Sequence, residues 1–324
     1  MGVFTTLGVE EWGALGEAFD LGAICAHRSI AAGTINTNFD VTTDRGRYFV
    51  RVNEGKAEVD VAWEARVVTA LAAGGFVTPP PVVARDGRPY APLAGALGKW
   101  VSVFPWREGG HLAAAEVTAE IARAFGATLA ELHRTGLELL PAWRRGSIYD
   151  HSHLVARYDR FADRDDPALV DAIATIGDEL AYCEGSVSVR RRAASGMIHG
   201  DLFRDNVLWQ DGAITAVLDF EQASGGSLVY DLAVAINDWC WTDRPRIDLA
   251  VALIAGYQSV RPLTEADRAA LPIELRAAAM RFTITRITDV YLARVANPDK
   301  DFRAFLARTH AWRGQALGEL TGAV

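Results

Sequence analysis

The feature that most restricts how this chain can fold is a change of texture near residue 105. Before it, short apolar and β-branched runs alternate with turn residues; after it, long Gly-poor stretches carry apolar residues at helical spacing. Residues 24–31 and 38–43 read as strands. Asp44-Arg45-Gly46 then forms a turn and 48–52 a return strand, which together make a hairpin. Over 57–73, Val61, Glu64, Ala65, Val68 and Leu71 recur at helical spacing up to the stop at Gly74-Gly75. Pro79-Pro80-Pro81 enforces an extended path, and 97–104 is a further strand ending at Pro105. The later half predicts helices over 112–134, 167–184, 246–257, 265–293 and 301–320. The expectation is an α+β chain with a β-rich N-terminal lobe at 1–99, a hinge at 100–106 and a helical C-terminal lobe at 107–324.

Composition narrows the function classes. The 324 residues include 33 Lys+Arg and 41 Asp+Glu, a formal net charge of −8. Binding a nucleic-acid backbone needs clustered cations, so a nucleic-acid partner is not expected. No apolar run reaches the ~18–20 residues of a membrane span, so no membrane partner is expected either. Glu10, Glu11 and Glu17 with no basic start argue against a signal peptide. Cys25, Cys183 and Cys240 are far apart and odd in number, against a disulfide framework or zinc site. A reducing, cytoplasmic compartment is expected.

The helical half is interrupted once, by short β-prone pieces at 197–199, 207–209 and 214–220 with Asp211-Gly212 as a turn. Within it stand His199-Gly200-Asp201-Leu202-Phe203-Arg204-Asp205-Asn206-Val207 and Leu218-Asp219-Phe220-Glu221. Transfer of a phosphoryl group to a hydroxyl needs one carboxylate to accept the hydroxyl proton. It also needs hard oxygen ligands for a Mg²⁺ that offsets the phosphate charge. Asp201 suits the base; Asn206, five residues on, and Asp219, thirteen beyond that, suit the metal. Only ten residues separate Asp219 from Tyr230, too few for a peptide-shaping activation segment, so the acceptor is expected to be a small molecule.

With Tyr230-Asp231-Leu232-Ala233, these motifs resemble the aminoglycoside-phosphotransferase/choline-kinase superfamily, and the run from Asp201 to Val207 is closer to its homoserine kinase branch. Segments 33–38 and 271–286 extend the resemblance over nearly the whole chain. It implies a two-lobed protein-kinase-like fold, ATP and Mg²⁺ as cofactors, and a small hydroxylated acceptor. It also implies that His199 packs behind the loop and that Asp231 supports it from beneath; the residues alone read Asp231 as a helix N-cap. Asp205 and Glu221 read as extra charges near the metal or as ion-paired groups. Gly33, Thr34, Asn36, Thr37 and Asn38 join two β runs and are candidates for cradling phosphates through backbone N–H groups.

Where the kinase pattern has a strand Lys paired to a helix Glu, this chain has Arg51 and Glu64, and Lys56 reads as a solvated loop charge. Val103, Phe104 and Trp106 would meet the adenine. If the acceptor is L-homoserine, its carboxylate needs cations and its ammonium an anion. Arg204, Arg281 and Arg286 are the candidate cations, and Asp238 and Asp289 the anions. The alternatives are an aminoglycoside- or choline-type phosphotransferase and, more remotely, a non-catalytic kinase-like module. A hydrolase built on His199, Asp201, Asp219, His151 and His153 is poorly supported, since His151-Ser152-His153 looks like a helix start. Whether the protein is a monomer or a homodimer stays open.

Overall fold

The computed structural model describes residues 4–30, 36–96, 98–139, 145–314 and 317–320. In chain order the elements begin with α1 (Val9–Ala18), β1 (Ile24–Ile30), β2 (Thr37–Thr43), β3 (Gly46–Asn53), α2 (Glu58–Ala73), β4 (Ala91–Pro92) and β5 (Trp100–Pro105). Then come α3 (Ala119–Leu139), α4 (His151–Tyr158), α5 (Val170–Gly185), the single turn α6 (Val187–Arg190), β6 (Ser195–Ile198), β7 (Val207–Gln210), β8 (Ala213–Val217) and β9 (Ser224–Ser227). The chain closes with α7 (Leu228–Trp239), α8 (Ile247–Val260), α9 (Glu265–Arg286) and α10 (Arg303–Arg313).

These elements form two compact units: residues 1–110 with 207–221, and residues 111–206 with 222–324. In the first, an antiparallel sheet runs β1-β2-β3-β5-β4. The period-2 alternation of its strands decides what each face carries. Phe39, Val41, Val50, Val52, Val101 and Val103 are buried in one core with Trp12 and Leu15 of α1. Their neighbours Asn38, Asp40, Arg51, Asn53 and Ser102 point to the other face, where Arg51 lies opposite Asn38 and Ser102 in register. One sheet therefore has an apolar side that stabilises it and a polar side that carries chemistry.

Two differences from the sequence reading concern boundaries. Residues 100–105, expected both to end the strand at 97–104 and to hinge the lobes, form β5, hydrogen-bonded between β3 and β4 in the interior of the sheet. The alternating Val101 and Val103 supply the inward side chains that a linker would lack. The β7–β8 hairpin, turned at Asp211 (φ 51) and Gly212 (φ 79), also belongs to the first unit although it follows Asn206. It is fastened there by backbone bonds between Trp209 and Gly110 and from Val217 N to Val77 O at 2.8 Å. Thr215 Oγ1 adds a bond to Glu108 O.

In the second unit, α7 is buried along nearly its full length. α3 begins at Ala119 rather than 112, because Thr118 caps it and a separate 3₁₀ turn occupies 114–116. α3 and α8 meet backbone to backbone. A Cβ on Gly126 would lie 2.0 Å from Leu253 O, and one on Gly256 would lie 1.9 Å from Arg123 O. Only glycine permits that approach. It brings His133 of α3 and Tyr257 of α8 within 2.8 Å of each other. No described helix is long and apolar enough to cross a membrane.

Candidate active site

On the polar face of the first unit's sheet, Arg51 Nη2 donates to Glu64 Oε1 at 2.6 Å, and Nη1 lies 3.4 Å from Asp219 Oδ1. The guanidinium is buried, and its Nε–H has no partner among the described residues. Lys56 is not a solvated loop charge: its Nζ sits 2.5 Å from Glu221 Oε2 and 3.9 Å from Glu64 Oε2. Asn36 Nδ2 also donates to Glu221, at 3.0 Å. Three carboxylates thus share two cations.

Burial and the neighbouring Glu221 push the Asp219 carboxyl well above the usual range, although Arg51 and Lys56 pull it down. For Glu221 the balance is reversed: Lys56 and Arg51 overcome its burial and hold its carboxyl low. Asp219 also has left-handed backbone, φ 64, a conformation that non-glycine residues adopt at some cost and that turns the side chain out of the strand line. Gly33 and Thr34 lie outside the described residues. Thr37 is buried, with its hydroxyl accepting from Phe4 and Thr5 N and donating to Glu54, a structural role. Asn38 lies on β2 facing Arg51.

The adenine candidates are placed less favourably than expected. Val103 faces the core and its carbonyl accepts from Val82 N, while Trp106 N donates to Arg47 O and its ring lies under the Arg47 guanidinium. Phe104 packs against Phe49 on the sheet's polar side.

In the second unit, the loop carrying Asp201 is fixed by its own backbone. Gly200, at φ 79, makes the sharp turn. Asp231 is no N-cap: it lies inside α7, and its carboxylate accepts from His199 N at 2.6 Å and Gly200 N at 2.7 Å. The same carboxylate takes His133 Nε2 at 3.2 Å, and His133 Nδ1 takes Tyr257 Oη. Arg261 in turn donates to Tyr257 and to Asp267, and Asp267 accepts from Ala194 N just before β6. Burial alone would raise the Asp231 carboxyl, but the bond from His133 and those backbone donors hold it below the usual range.

Around the base, Asp201 N donates to His199 Nδ1, and Trp239 Nε1 donates to Leu202 O. Asn206 Nδ2 donates to Asp201 O at 2.8 Å, which ties the amide to the loop that carries Asp201. The Asp201 carboxylate keeps 34% side-chain exposure.

The arginines expected to bind an acceptor divide. Arg204 is engaged by Asp238, through Nε at 3.0 Å and its backbone N at 2.9 Å, so these two candidates neutralise each other. Arg281 is 3% exposed and reaches Gly200 O at 3.2 Å and Asp201 Oδ1 at 3.5 Å, which makes it a support of the base rather than an open cation. Asp289 is paired with Arg157. Arg286 makes no ion pair with a described residue; it donates to Asp301 O and lies over the Phe305 ring. Asp205 is crowded by Asp238 and Asp201, and burial and those charges raise its carboxyl.

Among the described residues no three His, Cys, Asp or Glu side chains form a ready-made metal cage. The donors fit a Mg²⁺-type ion nonetheless. Such an ion binds through one or two hard oxygens and completes its shell with water and phosphate, and the strained, charge-crowded Asp219 would gain from a cation.

The comparisons with known proteins agree with this arrangement. Residues 27–263 match the family model described as the phosphotransferase enzyme family. The homoserine kinase of Gluconacetobacter diazotrophicus is 35% identical over 296 residues, covering 89% of each chain. That of Methylobacillus flagellatus is 33% identical and covers 98% of each. Among solved structures, the amicoumacin kinase hAmiN, in complex with AMP-PNP, Ca²⁺ and Ami, has a TM-score of 0.73 at 14% identity, covering 93% of this chain and 92% of its own. Choline kinase from Cryptosporidium parvum Iowa II has a TM-score of 0.62 at 15% identity, over 93% and 92%. Both share the two-lobed protein-kinase-like fold expected from the motifs. Fold, motif order and relatives converge: the chain belongs to the phosphotransferase enzyme family and is an enzyme that phosphorylates a hydroxyl group.

Proposed function

We propose that the protein transfers the γ-phosphoryl group of ATP to the side-chain hydroxyl of L-homoserine, giving O-phospho-L-homoserine and ADP, a step of threonine biosynthesis. The observation that carries this reading is the Asp201 loop, with an accessible carboxylate on a backbone locked by Asp231. It occurs in a chain about one-third identical to homoserine kinases over nearly its full length.

Asp201 accepts the hydroxyl proton as the oxygen–phosphorus bond forms and the bond to the β-phosphate oxygen breaks. Arg281 holds a fixed positive charge beside that carboxylate. Arg51 and Lys56 offer donors to phosphate oxygens, with Glu64 setting the direction of Arg51. Asn206 and Asp219 are the proposed Mg²⁺ ligands. Bound there, the ion would neutralise charge on the transferring phosphates. The free Cys25, Cys183 and Cys240 suit a reducing compartment such as the cytoplasm.

The test is a coupled ADP-release assay with Mg²⁺ and ATP, in which homoserine, serine, choline and kanamycin are compared side by side. Homoserine should give the highest kcat/KM, and excess chelator should stop turnover. Turnover on choline or kanamycin with none on homoserine would overturn the acceptor while leaving the kinase standing.

A further inference from the structure

Half-buried arginines of the second unit have an acid of their own: Arg190 pairs with Glu274, Arg204 with Asp238, Arg261 with Asp267 and Arg276 with Glu179. Arg308 and Arg286 make no such pair with any described residue. Arg308, on α10, is only 8% exposed. It donates through Nε to Asn237 O at 2.6 Å and through Nη1 to Ala304 O at 2.5 Å, which leaves the second Nη1 hydrogen and both on Nη2 uncommitted. Its guanidinium lies 4.5 Å from the centre of the Phe305 ring and 4.7 Å from that of Trp241. Arg286 approaches the same Phe305 ring at 4.4 Å. Phe203 and Phe282 pack on Phe305 as well, so both cations sit on an apolar aromatic floor.

Burial lowers both guanidinium pKa values against the attraction of Asp238, and the repulsion from Arg286 and Arg204 helps bring Arg308 to about 10. Two cations on one ring, with Asp238 near both but already bonded to Arg204, are an expensive arrangement for a protein to keep. An anion would relieve it.

We infer that Arg308 and Arg286 together form the pocket for the acceptor's carboxylate, so the enzyme selects hydroxylated amino acids over plain amino alcohols. The location fits an acceptor rather than a nucleotide. The field of the base Asp201 reaches Arg286 within this unit, whereas the phosphate-facing cations Arg51 and Lys56 belong to the other unit. The chemistry fits as well, because the planar guanidinium fork matches the two oxygens of a carboxylate. The low-dielectric floor strengthens each such bond. The inference rests on the homoserine reading above and assigns its specificity.

The experiment compares homoserine with 3-aminopropan-1-ol, which is homoserine without its carboxylate, in wild type and in Arg308→Met, Arg308→Lys and Arg286→Met. The readout is the ratio of the two kcat/KM values. Wild type should strongly favour homoserine. Arg308→Met should shrink that preference by about 100-fold, the scale of losing one buried charge pair, mostly through the KM for homoserine. Arg308→Lys should restore part of it. If Arg308 merely staples α7 to α10, the substitution lowers both acceptors together and the ratio is preserved, which overturns the inference. Should Arg308→Met not fold, Arg286→Met tests the same ratio at a less buried site. A wild type that ignores homoserine but phosphorylates 3-aminopropan-1-ol overturns the homoserine reading itself. A wild type that uses homoserine, with variants of unchanged ratio, overturns only the pocket.

Discussion

At His199 and Gly200 the backbone is held by hydrogen bonds to one buried carboxylate, Asp231, whereas around Arg51 five ionisable side chains are held mainly by one another. In the first arrangement the N–H groups of His199 and Gly200 share one acceptor, and that acceptor is itself fixed by His133. In the second, three carboxyl groups face two cations, with Asp219 pushed above and Glu221 held below the usual carboxylate range. The contrast shows how one enzyme can divide its tasks. The group proposed to take the proton sits on a rigid mount, where an error of an ångström would be costly. The groups proposed to meet phosphate and metal are charge-loaded, and their arrangement should respond to whatever ligand arrives.

Three measurements sharpen or break that contrast. The largest effect belongs to the rigid mount's cargo: Asp201→Asn should lower kcat by about 10²–10⁴-fold. The KM for ATP and the melting temperature should stay close to wild type, and near-normal turnover would remove Asp201 from the mechanism. Next, Asp231→Asn turns an amide donor toward the N–H groups of His199 or Gly200 and leaves at least one buried donor unmatched. Its expected cost is about 2–4 kcal/mol in urea unfolding. The pH dependence has a definite sign. Because the folded-state Asp231 pKa lies below the unfolded value near ~3.9, the stability it contributes is present above about pH 4 and is lost as pH falls through the folded value. The variant should therefore lose less stability on acidification than wild type does. The smallest effect is expected from the charged cluster: Lys56→Met should raise the KM for ATP by about 10-fold with little change in kcat. An unchanged KM would mean that Lys56 serves Glu221 alone.

Much of this was legible in the residues. The hairpin of β2 and β3 and the helix α2 follow from local rules, because turn chemistry and side-chain periodicity act over a few residues. What the sequence hid was tertiary. β9 is Ser-Gly-Gly-Ser, a string with no strand propensity, and it exists because β6 lies beside it. α1 carries Gly13 and Gly16, which interrupt its apolar spacing, yet Trp12 and Leu15 find the sheet's core. Lys56 reads as a loop charge until Glu221, 165 residues away, is folded beside it. Arg308 falls in an ordinary basic helix, and nothing local says that its neighbours will be aromatic rings rather than acids. The sequence reads Arg281 as a substrate ligand. It could not see that burial would turn the guanidinium toward the base.

The close crossing at Gly126 and Gly256 bears on anyone who would make this enzyme sturdier. Replacing a helical glycine by alanine is an ordinary route to added stability, worth about 0.4–1 kcal/mol where the space allows. At these two positions the new methyl would collide with the carbonyl of the opposite helix. The helices carrying His133 and Tyr257 would be levered apart, and Asp231 would lose the partner that fixes it beneath the catalytic turn. Two residues without any functional group thus stand upstream of the proton transfer, and a consensus-minded engineer scanning for weak helix formers would pick them first.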